Sequence, residues 1–194
     1  MKSMAPWEKF FEEKIRLIAK RKRILDVGGG TPLQKQLGAY RELFKETEYV
    51  VIDKNYESAG VVKGDAHNLP FQDESFDAVI CKSVLEHVED PFRVVAELRR
   101  VLKPGGLGLI YVPFLFPYHA EKGFYADYWR FTGDGVKMLF KDFSSVEMVK
   151  VRGFFETVAY LLPYVRVFAP VARLLDWLVP SKNQTSGFTI FVTK

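Results

Sequence analysis

A single cysteine, Cys81, is all the thiol this sequence carries, so an internal disulfide is excluded. Cys81 sits in an apolar run and reads as a small buried hydrophobe rather than a nucleophile. Histidine is almost as scarce. His67, His87 and His119 are the three present, and they show no ligand spacing and no partner cysteine, so no metal is expected. A long apolar run free of interruption is also missing. Residues 158–180 are long enough to cross a bilayer, but Arg166, Arg173, Asp176 and three prolines break them up. The start, MKSMAPWEKFFEEK, has no apolar core of the secretory kind. The expected location is therefore cytoplasmic, with peripheral membrane contact through 154–179 as an added option. Basic charge is not concentrated. Lys and Arg exceed Asp and Glu by 28 to 24, a formal charge of +4 spread along the chain. Nucleic acid is thus not the expected partner. The one basic knot, Lys20-Arg21-Lys22-Arg23, reads as a solvated helix end, an anion site being the alternative. With no repeat, low-complexity tract or linker, residues 1–194 read as one domain able to bury its own core.

What is present alternates between two periods. Trp7, Phe10, Phe11, Ile15 and Ile18 fall at helical spacing within 6–20, with Pro6 suited to the first turn. Short apolar runs at 24–27, 49–53, 76–81 and 107–112 read as buried strands, with 60–65 a shorter candidate. Asp90-Pro91 opens a helix whose buried face is Val94, Val95, Leu98, Val101 and Leu102, and Lys103-Pro104-Gly105-Gly106 stops it. Two further strands are expected at 145–151 and 187–193, separated by an apolar helical region. Strand and helix in alternation imply an α/β fold. The expected form is a Rossmann-like three-layer sandwich, a mostly parallel seven-stranded sheet with helices on both faces.

The run Ile24-Leu25-Asp26-Val27-Gly28-Gly29-Gly30 puts glycines where a strand turns toward the next helix, the place at which backbone approaches a nucleotide-like ligand. Asp53 ends the following strand, at the distance along the chain expected of an acid that receives ribose hydroxyls. A dinucleotide is disfavoured. The position that would hold the third glycine of that fingerprint is Leu33, and the carboxylate of Asp26 just before the loop suits a cationic ligand better than a pyrophosphate. The alternative is a structural turn in which Asp26 only bonds nearby amides.

Taken in order, residues 24–30, Val51-Ile52-Asp53, Gly64-Asp65-Ala66, Leu69-Pro70-Phe71 with Ser75-Phe76-Asp77, and Leu102-Lys103-Pro104-Gly105-Gly106 resemble the motifs of class I S-adenosylmethionine-dependent methyltransferases. The resemblance covers 20–112. It implies S-adenosylmethionine as cofactor, with Asp26, Gly28 and Gly30 under its amino-acid end, Asp53 at the ribose, Asp65 and Ala66 at the adenine, and Ser83 along the methionine side. Pro32 departs from the pattern, which often has glycine there; Thr31 as N-cap and Pro32 as an early helix residue would accommodate it. Val84-Leu85-Glu86-His87-Val88 also looks like a family turn. It makes His87 a candidate base, or a histidine that packs and bonds to backbone.

On this reading 21–112 is the cofactor-binding core, 1–20 an N-terminal helix, and 113–194 the acceptor side. The loop from Pro113 to Thr132 is dense in aromatics, with His119, Asp127 and Arg130 among them, and suits a pocket that stacks on a ring. A satellite hydrophobic cluster is the alternative. Tyr118, Asp127, Tyr128, Trp129 and Arg130 are the candidate acceptor-binding residues, although an Asp–Arg pair is equally a structural device. The same segment resembles small methyltransferases found with polysaccharide and glycolipid assembly, which would make His119 the base for a hydroxyl acceptor. Val171, Leu174, Leu175 and Leu178 mark an amphipathic helix, expected to cap the acceptor site within 154–179 or to meet a partner subunit or lipid. The expected activity is methyl transfer to a small-molecule, glycan or lipid-linked hydroxyl, by a monomer or homodimer. A catalytically silent cofactor-binding protein and an RNA methyltransferase are the competing readings.

Overall fold

The apolar runs do form a sheet, and period two along them divides its two faces. The computed structural model describes residues 4–33, 35–56, 58–162 and 164–194. Seven strands, β1 (Arg23–Val27), β2 (Glu48–Asp53), β3 (Val61–Lys63), β4 (Phe76–Lys82), β5 (Leu102–Pro113), β6 (Ser145–Val151) and β7 (Gly187–Thr193), lie in the order β3-β2-β1-β4-β5-β7-β6. The first five pair in parallel; β7 runs antiparallel to both β5 and β6. Ile24, Ala78, Ile80, Leu107, Leu109 and Phe191 face one way, into a core with Phe11, Ile15 and Ile18 of α1 (Pro6–Ile18). Leu25, Val27, Val79, Cys81, Ile110 and Ile190 face the other way, into a core with Val94, Leu98 and Val101 of α2 (Pro91–Val101) and Val136 and Leu139 of α3 (Gly133–Leu139). Both faces are dry, as parallel strands require. The three-layer expectation is met.

Chain order reverses between β1 and β4, which are neighbours although separated by β2 and β3 in sequence. In open α/β sheets the crevice beyond the carboxyl ends of strands at such a reversal is where ligands bind. Gly28 follows β1 there, and Ser83 follows β4.

Three local expectations are corrected. Pro32 is not an early helix residue; residues 31–33 form a turn, with Leu33 at φ 52°, and a 3-10 helix spans Lys35–Phe44. The segment 103–106 does not lie between helix and strand but inside β5, which begins at Leu102 and has an irregular register beside Phe76. Lys194 supports it from the end of the chain, its N–H donating to the Gly106 carbonyl at 3.0 Å and its carbonyl accepting from the Gly105 N–H at 3.1 Å. The third correction concerns α4 (Phe154–Leu161) and α5 (Ala169–Leu178). Gly153, the residue before α4, has no side chain to cap it, and Asp176 of α5 supplies the acceptors instead, from the Phe155 and Glu156 N–H groups at 2.8 and 2.9 Å. Arg173 donates to Glu156 at 2.8 Å. The charged side of α5 therefore packs inward, and Val171, Leu174 and Leu178 of its leucine face stand exposed.

Arg100 on α2 organises the segment that leads away from β3. It donates to Glu97 and Asp73 and to the carbonyls of Leu69 and Phe71, all at 2.7–2.9 Å. Replacing Arg100 by methionine keeps the aliphatic packing but leaves both carbonyls without their donor. It is expected to lower unfolding free energy by roughly 1–3 kcal/mol, read from urea denaturation; an unchanged midpoint would show that water replaces the guanidinium without loss.

Candidate functional site

A cleft of about 730 Å³ opens at the β1/β4 reversal, within the range of small-molecule sites. Its floor is the glycine loop. Gly28 and Gly30 have φ of 69° and 62°, left-handed values that cost a side-chain-bearing residue energy. A Cβ at Gly28 would collide with Cγ2 of Val84, and one at Gly29 with the carboxylate of Asp26. Absent side chains thus let the backbone lie directly between β4 and the cleft.

Asp53 locks this loop to the end of β2. Its Oδ2 accepts from the Gly30 N–H at 3.0 Å, and its Oδ1 accepts from the N–H groups of Asn55 and Tyr56 at 2.9 and 3.1 Å. Asp65 accepts from the His67 backbone N–H, the His67 ring and Lys54. Burial works against its charge, but these donors outweigh it and hold the carboxyl well below the usual range. Gly28, Gly30, Asp53, Asp65, Ala66 and Ser83 all line the cleft. Asp26 does not. It lies buried beneath the loop, accepts from Tyr49 Oη at 2.7 Å, and its pKa is raised to about 7 by burial, against the opposing effects of that bond and of Lys82.

The far wall comes from the turn after β4 and the loop after β5. Ser83 carries a left-handed φ of 55°, and a 3-10 turn at Leu85–His87 follows. Glu86 is buried, with its Oε2 unpartnered among the described residues; burial pushes its pKa up to about 7. His87 Nδ1 lies 2.6 Å from the Ala126 carbonyl. A carbonyl only accepts, so that nitrogen holds the proton and Nε2 presents a lone pair. Burial lowers the His87 pKa, with the Ala126 carbonyl opposing. His119 sits edge-on to His87, ring centres 4.7 Å apart, and its Nδ1 faces the Pro117 carbonyl at 3.0 Å and Asp127 at 3.2 Å. The loop reaches back across the cleft, where Asn55 Nδ2 donates to the Phe124 carbonyl at 2.6 Å.

Of the acceptor residues expected from sequence, His87, His119 and Tyr128 line the cleft. The remainder do not. Tyr118 is 77% exposed; Trp129 donates to the Val88 carbonyl at 2.8 Å. Asp127 and Arg130 form a bidentate pair, and Arg130 also holds the carbonyls of Phe116, Pro117 and Trp129. Their part is to set the loop's shape. Among the described residues of the segment 154–179, none lines the cleft. Its helices are instead tied to one another and to α1, where Arg173 meets Glu8. Sequence reasoning passed over Glu86, Tyr111 and Tyr125 as site residues. An isolated acid inside the apolar Val84-Leu85-Glu86-His87-Val88 turn was the available signal for the first.

Residues 25–110 match the family described as methyltransferase domain, the stretch that holds the glycine loop, Asp53, Asp65 and the turn after β4. This segment is a methyltransferase domain. The 2-methyl-6-phytyl-1,4-hydroquinone methyltransferase 2 of rice is 30% identical over 154 residues, 73% of this chain and 41% of that one. The demethylmenaquinone methyltransferase of Staphylococcus haemolyticus is 39% identical over 97 residues, 44% of this chain and 41% of that one. The chain thus spans about two fifths of the length of these curated relatives. A S-adenosylmethionine-dependent methyltransferase from Archaeoglobus fulgidus shares the fold, with TM-score 0.59 and 18% identity over 98% of this chain and all of that one. The methyltransferase domain's cofactor is S-adenosylmethionine, and the cleft fits it. A floor that tolerates no Cβ at Gly28, an acid at the end of β2 and an apolar patch at Val27, Ile52 and Ala66 suit its amino acid, ribose and adenine in turn.

Proposed function

We propose that this chain transfers the methyl group of S-adenosylmethionine to a hydroxyl oxygen of a small ring-bearing acceptor. The observation that carries it is one continuous cleft with two chemically distinct ends. At one end Gly28, Gly30, Asp53 and Asp65 would hold the cofactor. At the other, Phe116, Tyr125 and Tyr128 offer ring faces beside Glu86, His87 and His119. Relatives named for a hydroquinone and for demethylmenaquinone support a ring-bearing acceptor, as does the aromatic wall itself; the hydroxyl oxygen as methyl acceptor rests on the histidines beside that wall.

In-line displacement at a methyl group asks the protein for alignment, dryness and a route for the acceptor's proton. The cofactor supplies the activated methyl. Asp53 accepts hydrogen bonds from ribose hydroxyls, and the Gly28–Gly30 backbone sets the height of the floor. The loop 113–131, braced by Asp127 and Arg130, closes the wall against water. His119, whose Nδ1 proton is committed to Pro117 and Asp127, turns Nε2 toward the cleft as the candidate proton acceptor, with His87 beside it. A lipid-linked or glycan acceptor, and membrane contact through 154–179, form a separable arm supported by the exposed leucine face of α5. Failure to co-sediment with anionic vesicles would remove that arm alone.

The direct test is calorimetric titration of S-adenosylmethionine into the parent and an Asp53→Ala variant. Loss of a charge-assisted pair is expected to weaken binding about 10–100-fold. Because Asp53 also holds three backbone N–H groups, Asp53→Asn serves as the gentler second variant. No binding by the parent would sink the reading.

A further inference from the structure

Glu86 and His87 leave the end of β4 and His119 belongs to the loop after β5, yet their side chains converge. The Nε2 atoms of His87 and His119 lie 3.9 and 3.8 Å from the same Glu86 oxygen, Oε1. One ligand-capable atom from each of the three falls within 4.8 Å of both others. Both rings have their Nδ1 protons spent outward. His87 gives its proton to the Ala126 carbonyl, and His119 gives its own to Pro117 and Asp127. Both Nε2 atoms therefore face a carboxylate with lone pairs, and Oε2 of that carboxylate is buried without a partner among the described residues. At 3.9 and 3.8 Å neither pair is within hydrogen-bond reach, so no shared proton answers the carboxylate. Such an arrangement is costly at a group 1% exposed.

We infer that Glu86, His87 and His119 form a binding site for a divalent transition-metal cation at the acceptor end of the cleft. Two imidazole nitrogens with one carboxylate on a single face suit Zn²⁺, Fe²⁺ or Mn²⁺ and leave coordination positions open. Hydrogen bonds from the far nitrogen of each ring to a carbonyl or carboxylate fix tautomer and orientation, as metal-bound histidines require. Adjacent ligands on a tetrahedral zinc stand ~3.3 Å apart, so each ring nitrogen closes by about half an ångström toward Oε1 on binding the ion, and all three atoms start within 4.8 Å of one another. All three residues line the cleft, and the open positions face it.

The role of the ion rests on the proposed methyl transfer; its binding does not. A hydroxyl bound at an open position loses its proton more readily. The proton passes to bulk solvent as the acceptor docks, before the loop closes over it. The oxygen lone pair then forms the bond to the methyl carbon as the carbon–sulfur bond breaks, its electron pair staying on sulfur. His119 is then a ligand rather than a base.

The test is titration of Zn²⁺ by calorimetry, and of Mn²⁺ by electron paramagnetic resonance, into chelator-stripped parent, Glu86→Gln, His119→Ala and His119→Asn proteins. Melting curves of the stripped forms verify folding. The parent is expected to bind one ion. Losing a second-shell partner alone costs 10–100-fold, so losing a ligand is expected to weaken binding by at least ~100-fold. No saturable binding by the parent, or equal binding by folded variants, would overturn the site. Binding of S-adenosylmethionine by the parent, measured in parallel, reports on the methyl-transfer reading independently. Cofactor binding without metal binding defeats only this inference, and metal binding without cofactor binding defeats only the other.

Discussion

Replacing Gly28 by valine is expected to weaken S-adenosylmethionine binding by at least ~100-fold while the sheet still forms, from about 1–2 kcal/mol of left-handed backbone strain and a larger steric term. Gly28 holds φ 69°, and its missing Cβ would occupy the space of the Val84 methyls. The loop has no slack on its other side, because the Gly28 N–H is bound to the Ile52 carbonyl at 2.8 Å. Relief comes by displacing the Val84 side chain or by lifting the loop into the cleft. A double-mutant cycle separates the two costs. Gly28→Ala pays both, whereas Gly28→Ala with Val84→Ala removes both colliding methyls and retains the backbone strain. The double variant is expected to bind more tightly than Gly28→Ala alone, short of the parent by about tenfold, in line with 1–2 kcal/mol. Parental affinity in Gly28→Ala would show that the cofactor does not rest on this floor.

The glycine loop was legible in the sequence because its constraint is local: a left-handed turn needs glycine wherever the rest of the chain lies. Leu33 shows where that logic stops. The same kind of turn recurs there at φ 52°, on a leucine. The strain is offset by burying the side chain, 7% exposed, against the α1 core. No local pattern announces that. Lys103-Pro104-Gly105-Gly106 misled for a similar reason. Proline and glycine read as a stop, but the hydrogen bonds that hold them in β5 come from the last residue of the chain. The pairing of Asp127 with Arg130 was visible at i, i+3; that it faces the loop's own carbonyls rather than the cleft was not. Period and spacing report what a residue is next to in sequence. The convergence of His87 and His119 depends on the reach of the loop after β5, which only tertiary structure decides.

Asp26 carries the second large effect, through pH. Burial raises its pKa to about 7, against ~3.9 in the unfolded chain. Between those values the folded protein holds a proton that the unfolded chain releases. The stability associated with this group is therefore complete below about pH 4 and is lost as pH rises through 7. Relative to Asp26→Asn, which keeps an acceptor for Tyr49 without a charge to bury, the parent is expected to lose roughly 2–3 kcal/mol between pH 5 and pH 8. Urea denaturation at the two values measures it, and parallel pH profiles for the two proteins would place the Asp26 carboxyl in its ordinary range. Binding has the opposite sign. A cationic ligand above the loop favours the ionised carboxylate, so S-adenosylmethionine is expected to bind the parent more tightly at pH 8 than at pH 5.5 and to displace the proton below pH 7. Calorimetry in two buffers of different ionisation enthalpy counts that proton. The count is expected to fall toward zero in Asp26→Asn, and an unchanged count would assign the proton to another group.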